Sequence, residues 1–367
     1  MKIYCNQEIL LSHVNIVLKA CSTRTTMPIL ECILIKAVDK QVTLVGNNLE
    51  LGIQSTFETN VVEQGCIAVE AKIFSEIVRK MPLGDIEITL TENNMINILS
   101  GKSKFTILGQ PGNDFPELPE VDNQVTYLIS QLRLKEMIRQ TIFSVAQEES
   151  RPIFTGEMFH LENDEFHLVS IDGFRLSYRC VNLLTNNTKV ESVVPGKTLN
   201  EVAKILNTEG ADLVNISFGE HHILFDLGNS KIVSRLLEGE FLNYNQVFPN
   251  DYQTRVIIDR RLLLTSIERA ALITREGKKN PIKIDLNQES MIISSNTELG
   301  TAREEIEIEL EGEPLTIAFN PRYLIEALKS IDDDLIAINF LSTIEPCIIK
   351  PTEGDAYKYL ILPIRVN

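Results

Sequence analysis

The residues whose types could do chemistry are five histidines, six cysteines and a run of three aspartates. His221 and His222 are adjacent in a GEHH turn, but a metal centre there needs a third ligand at suitable spacing, and none follows. Asp332, Asp333 and Asp334 have the type of a divalent-cation cluster. They fall between a helical pattern and an alternating strand, where a solvated turn explains them. His13, His160 and His167 are scattered over helix and strand patterns. Cys5, Cys21, Cys32, Cys66, Cys180 and Cys347 form no CxxC pair. Most lie among apolar residues, as free thiols of a reducing cytoplasm do. A GxxxxGK[ST] phosphate loop, a GxSxG elbow and a GxGxxG after a strand are all absent. The residues predict no catalytic centre, no metal and no cofactor.

The elements around these residues must then serve another purpose. At 367 residues the chain is long enough for two or three domains, and 44% hydrophobic with 23% charged is the balance of a folded soluble protein. No run approaches the ~18 apolar residues that span a bilayer. The start, MKIYCNQEILLSHV, lacks the apolar core of a signal peptide, so a cytoplasmic protein without membrane contact is expected. The net charge of −16 argues against a protein held on nucleic acid by affinity alone.

A threefold repeat organises the chain. VEAKIFSEIVRKMPLGDIEITL (69–90), VPGKTLNEVAKILNTEGADLVNISF (194–218) and FNPRYLIEALKSIDDDLIAINF (319–340) share one pattern. Lys72, Lys197 and Arg322 lie 125 residues apart, and Glu76, Glu201 and Glu326 keep that interval. Phe74, Ile77, Val78 and Met81 recur as Leu199, Val202, Ala203 and Leu206, then as Leu324, Ala327, Leu328 and Ile331. The spacing i, i+3, i+4, i+7 is one face of an amphipathic helix. A second helix (ILLSHVNIVLKACS, LKEMIRQTIFSVAQ, LLTSIERAALIT) precedes Pro28, Pro152 and Pro281, and a hairpin of alternating strands follows each time. The pattern predicts an α+β chain of three repeated domains at 1–122, 123–253 and 254–367, each with two helices packed on antiparallel sheets. Repeated domains pack with equivalent contacts, and head-to-tail contacts close into rings when the rotation allows.

Positive charge concentrates on the helices, at Lys72, Arg79, Lys80, Lys197, Lys204 and Arg322, while strands and turns such as EEIEIELEGE are acidic. Any one of these is adequately explained as a solubilising residue. A basic position repeated three times suggests a lining that meets phosphates without reading sequence.

MPIL (27–30), GNNLELGI (46–53), GNDFPELP (112–119), SIDGFRLS (170–177), LLEGEFLNYNQVFP (236–249) and YLILPIR (359–365) carry a resemblance over the whole length. The chain resembles the β subunit of bacterial DNA polymerase III, the sliding-clamp family. The resemblance implies the DNA clamp fold in a head-to-tail dimeric ring, opened by a clamp loader. The ring encloses duplex DNA without sequence readout and tethers the replicative DNA polymerase and repair proteins. A partner peptide is expected in a pocket of Phe154, Ile171, Gly173, Phe174, Arg175, Leu176, Leu242, Gln246, Val247, Pro346, Leu360, Leu362, Pro363, Ile364 and Arg365. Leu242 replaces the family's usual proline and Gln246 a common arginine, which makes the rim more apolar and less basic. Phe105 and Ile107 of one subunit are expected to meet Leu272 and Ile273 of the next, although local core explains these residues equally well. Lys102 and Lys104 would face Glu304 and Glu305 there. Arg24 and Arg151 hold positions where the family contacts DNA, with Glu148 and Glu149 standing where a polar residue is usual.

Overall fold

The computed structural model describes residues 1–121, 125–147, 150–183, 189–249, 251–274 and 281–365. Among the described residues six α-helices appear in the expected places: α1 Gln7–Val17, α2 Ala71–Lys80, α3 Gln131–Thr141, α4 Gly196–Ile205, α5 Arg260–Ala271 and α6 Pro321–Ser330. The starts of α2, α4 and α6 keep the 125-residue interval of the repeat, and each helix is ten residues long.

Their starts follow from local capping. The Asn6 carboxamide accepts from Glu8 N at 2.9 Å, the Glu70 carboxylate from Ile73 N at 2.6 Å, and Asp259 from Leu262 N at 2.8 Å. Each satisfies a donor that the first helical turn leaves orphaned. The Asp259 cap starts α5 a turn earlier than its apolar pattern predicts. Two helices end sooner than expected. α3 stops at Thr141, whose hydroxyl bonds back to Met137 O at 2.8 Å, and a short 3-10 turn, Ile142–Ser144, follows. α1 likewise passes into the 3-10 turn Leu18–Ala20. The predicted stripes are the buried ones: Phe74, Ile77 and Val78 on α2, Leu199 and Val202 on α4, Leu324, Ala327 and Leu328 on α6.

Every described strand pair is antiparallel, as alternation and short hairpins require. The chain forms two compact units, Met1–Leu132 with Lys204–Leu236, and Arg133–Ala203 with Leu237–Asn367. The middle repeat is therefore divided, and its strands continue the sheets of both neighbours.

In the first unit a 13-stranded sheet runs from Val125–Ser130 to Asn60–Glu63. Its seam between repeats pairs Leu51–Glu58 with Ser230–Arg235. There Ser55 and Ser230 share a hydrogen bond of 2.7 Å, and His13 Nδ1 from α1 lies 2.7 Å from the Ser55 hydroxyl. Burial lowers the His13 pKa, which favours the neutral ring beside the Ser55 hydroxyl.

The second unit holds a nine-stranded sheet from Val190–Pro195 to Glu309–Gly312, and a four-stranded sheet ending at Gly300–Glu307. Its seam pairs Arg175–Asn182 with Tyr357–Ile361. The core of the third repeat packs α5 and α6, through Leu263, Ile267, Leu324 and Leu328, on Ile284, Phe319, Ile338 and Phe340.

Candidate functional site

The second unit's seam brings together several of the residues expected to line a pocket. Strand Glu165–Ile171 leaves the sheet through Asp172 and Gly173, and Gly173 takes φ +89°, a conformation that glycine adopts without strain. The Asp172 carboxylate accepts from Phe174 N at 3.0 Å and Arg175 N at 3.1 Å, which fixes the turn. Strand Arg175–Asn182 then pairs Arg175 with Ile361 and Leu176 with Leu360. Phe174 O accepts from Leu362 N at 2.9 Å, and Ile364 N donates to Ala318 O at 2.8 Å, so the terminal segment is held on both sides.

Leu176 and Leu360 are the buried floor of an apolar cluster with Met158, Val169, Val193 and Tyr244, and Ile171, Val247, Phe241 and Phe248 pack against it. Phe154 joins through an edge-on contact with Phe241, ring centroids 5.6 Å apart. Leu242, Gln246, Leu362, Arg365 and Gly173 are exposed; Pro346, Pro363 and Ile364 are half-buried. Phe174 is 54% exposed and stacks on Tyr323 of α6 at 6.3 Å. The result is an apolar floor with a mixed rim, the chemistry that accepts leucine or phenylalanine anchors of a peptide.

Arg175 has a different place from its neighbours. It is 6% exposed, and its guanidinium is fully engaged. Nε meets Asp172 Oδ2 at 2.9 Å, Nη1 pairs with Glu326, and Nη2 donates to Phe143 O at 2.5 Å. The plane lies 4.6 Å from the Tyr323 ring and 5.3 Å from the Phe143 ring. Arg175 thus joins the turn, α6 and the 3-10 segment into one frame under Phe174. Sequence reasoning missed Asp172, Phe143, Phe241 and Tyr323. Only the aromatic at 323, where the other copies have Ile73 and Thr198, hinted at a special contact.

Two strand edges stand open, one in each unit. Strand Ser103–Pro111 pairs along one side from Met95 to Ser100, but on its other side only Gly109, Gln110 and Pro111 are paired. Phe105 is 43% exposed there and Leu108, unmarked by the sequence pattern, 67%; Ile107 is half-buried. In the second unit Gly300–Glu307 is the end strand of its sheet. Leu272 beside it is 82% exposed and Ile273 half-buried. Glu304 already pairs with Arg269 at 2.5 Å and Glu305 with Arg303 at 2.8 Å, so neither awaits Lys102 or Lys104 as a bare charge.

Arg24, Lys72, Arg79, Lys80, Arg151, Lys197, Lys204 and Arg322 are all exposed. Arg79 pairs with Glu76 at 3.1 Å and Arg322 with Glu326 at 2.8 Å. Arg79, Lys80 and Lys204 fall in last turns, where the helix dipole already favours a cation. Lys72, Lys197 and Arg322 are second in their helices, where the dipole disfavours them. Helix stability therefore does not explain the repeated position. Glu148 and Glu149 lie outside the described residues.

The three consecutive aspartates have structural partners. Asp332 binds Arg139 and Gln140, Asp333 accepts from the Tyr357 hydroxyl at 2.7 Å, and Asp334 lies 3.9 Å from Arg261. They form the turn between α6 and strand Leu335–Phe340.

Family models described as the N-terminal, central and C-terminal domains of the DNA polymerase III beta subunit match residues 1–119, 128–243 and 245–365. The chain is 34% identical over 375 aligned positions to the Staphylococcus aureus protein named Beta sliding clamp, covering 100% of this chain and 99% of that one. It is similar to a crystal structure of a putative DNA polymerase III beta subunit from Eubacterium rectale (41% identity, TM-score 0.96), with both chains covered in full. The DNA polymerase sliding clamp from Bacillus subtilis matches at 35% identity and TM-score 0.97, again over 100% of each chain.

Proposed function

The chain belongs to the bacterial DNA polymerase III β-subunit family and is a non-enzymatic DNA sliding clamp for the replicative polymerase, and from that premise we propose how its residues do this work. Two copies close head to tail, the open strand Ser103–Pro111 of each meeting the open strand Gly300–Glu307 of the other. The observation that carries this reading is the pair of unpaired strand edges in different units, each with an exposed apolar residue at hand, Phe105 at 43% on the first and Leu272 at 82% after α5 in the second. A free edge of this kind is a template for pairing with another chain. Because the two edges differ, the contact is head-to-tail and repeats until it closes. The three domains run over 1–122, 123–253 and 254–367.

Duplex DNA passes through the ring and meets Arg24, Lys72, Arg79, Lys80, Arg151, Lys197, Lys204 and Arg322 through its phosphates. Such contacts carry no sequence information and leave the ring free to slide. The net charge of −16 opposes side-on association, so retention is by enclosure rather than affinity. The polymerase, the clamp loader and repair proteins each dock a short peptide over Leu176 and Leu360, between Phe154, Phe174, Leu242, Val247 and Leu362. The protein works in the cytoplasm; among the described residues no helix is long and apolar enough to cross a membrane.

Light-scattering chromatography tests ring closure. The wild-type chain should elute with twice the mass of one subunit, and Phe105→Asp combined with Leu272→Asp should elute as a monomer. An unchanged dimer in the double variant would refute the proposed contact.

A further inference from the structure

We propose that Glu165, His167 and Cys180 form a zinc-binding site on the nine-stranded sheet. A carboxylate oxygen, a ring nitrogen and the thiol sulfur of these residues lie within 4.8 Å of one another. Among the described residues no other group of three histidine, cysteine or acidic side chains converges in this way.

The sheet register produces the convergence. His167 sits directly opposite Cys180 across the pair Glu165–Ile171 and Arg175–Asn182, so both side chains leave the same face. Glu165, two residues before His167, shares that face because strand side chains alternate with a period of two. On the other side His160 is opposite His167, with ring centroids 5.2 Å apart.

The donor set and its orientation suit zinc. Glu165 Oε2 lies 3.4 Å from His167 Nε2, close to the edge of a tetrahedron with bonds of about 2.0–2.1 Å. The Tyr178 hydroxyl lies 2.9 Å from His167 Nδ1. When Nδ1–H donates to that hydroxyl, Nε2 keeps its lone pair for the metal, the usual way a ligating histidine is oriented. Thiolate, imidazole and carboxylate together select a borderline-soft cation over magnesium or calcium. Three protein ligands leave the fourth position to water. On binding, the Cys180 thiol releases its proton to solvent and the thiolate bonds the metal. Leu176 of the pocket floor and Cys180 are four residues apart on one strand, about 13 Å, and share one face. Tyr178 between them packs against the pocket's apolar cluster while its hydroxyl meets His167, so the metal site borders the pocket. Bound there, it ties the two strands of the hairpin that ends at Phe174.

Cobalt reports on such a site directly. The reduced, chelator-stripped full-length chain is titrated with Co2+ without oxygen. One equivalent should produce a thiolate-to-cobalt charge-transfer band in the near ultraviolet and intense visible bands of four-coordinate cobalt, and Zn2+ should abolish both. Cys180→Ser should remove the near-ultraviolet band while Cys66→Ser keeps it. Glu165→Gln, at an exposed position that does not threaten folding, should weaken binding at least tenfold. A wild-type spectrum without the thiolate band overturns the proposal, as does a band of full strength in Cys180→Ser.

Discussion

Replacing Arg175 by alanine should loosen the peptide pocket from beneath without removing a single exposed surface atom of its floor. The side chain is 6% exposed and holds Asp172, Glu326 and the Phe143 carbonyl while lying against two rings. Removing one partner of a buried ion pair costs about 3–5 kcal/mol, because the remaining charge is left uncompensated. Here both carboxylates keep some relief. Asp172 retains its two backbone donors, and Glu326 retains Arg322, with side-chain exposures of 15% and 27%. The lower end, about 3 kcal/mol, is therefore expected, which corresponds to roughly a hundredfold change in a local opening equilibrium. The amides of Leu176, Ser177 and Tyr178 should exchange with solvent about that much faster, and binding of a polymerase-derived peptide should fall tenfold or more in fluorescence anisotropy. Arg175→Lys should recover less than half of the loss, since an ammonium cannot reproduce the fork that reaches three partners. Unchanged amide protection together with peptide affinity within twofold of wild type would refute the role assigned to this residue.

Glu157 is fully buried, and neither carboxylate oxygen has a hydrogen-bond partner; Thr141 is near, but its hydroxyl is committed to Met137 O. Burial raises the Glu157 pKa well above the ordinary 4.5, so the folded chain keeps a proton that the unfolded chain releases. The group's contribution to stability is complete below pH about 4.5 and is lost as pH rises toward the folded pKa, by at most about 1.4 kcal/mol per pH unit. Glu157→Gln should therefore unfold in urea like wild type at pH 4 and be more stable at pH 7; equal midpoints at both would contradict this. Changing Lys72, Lys197 and Arg322 together to alanine should reduce the slope of log affinity for duplex DNA against log salt by about 1 per residue, or about 3 for each subunit of the ring, equally for any sequence. An unchanged slope would move the phosphate contacts elsewhere.

Much of the fold was legible because one period repeats. Residues 125 apart mark the starts of α2, α4 and α6, although the caps at Glu70 and Asn320 were not read from the pattern. The seams were not legible. That Ser230 pairs with Ser55 and Leu176 with Leu360 depends on strands of different repeats meeting edge to edge, which no local pattern specifies. The same reason hid the frame of Arg175, whose partners Phe143 and Glu326 lie 32 and 151 residues away. Phe105 and Leu272 could have been local core from sequence, and the structure exposes both. The Glu165, His167 and Cys180 group was invisible in sequence, because its spacing has meaning only once the hairpin register is known.

The central claim is that this acidic chain stays on DNA by surrounding it. The protein should be loaded by a clamp loader onto nicked circular plasmid, separated from free protein, and the plasmid then cut once. A ring slides off the new ends, so the bound fraction should fall to background after cutting and persist on the uncut circle. Protein that stays on the linear molecule as it does on the circle would contradict the account.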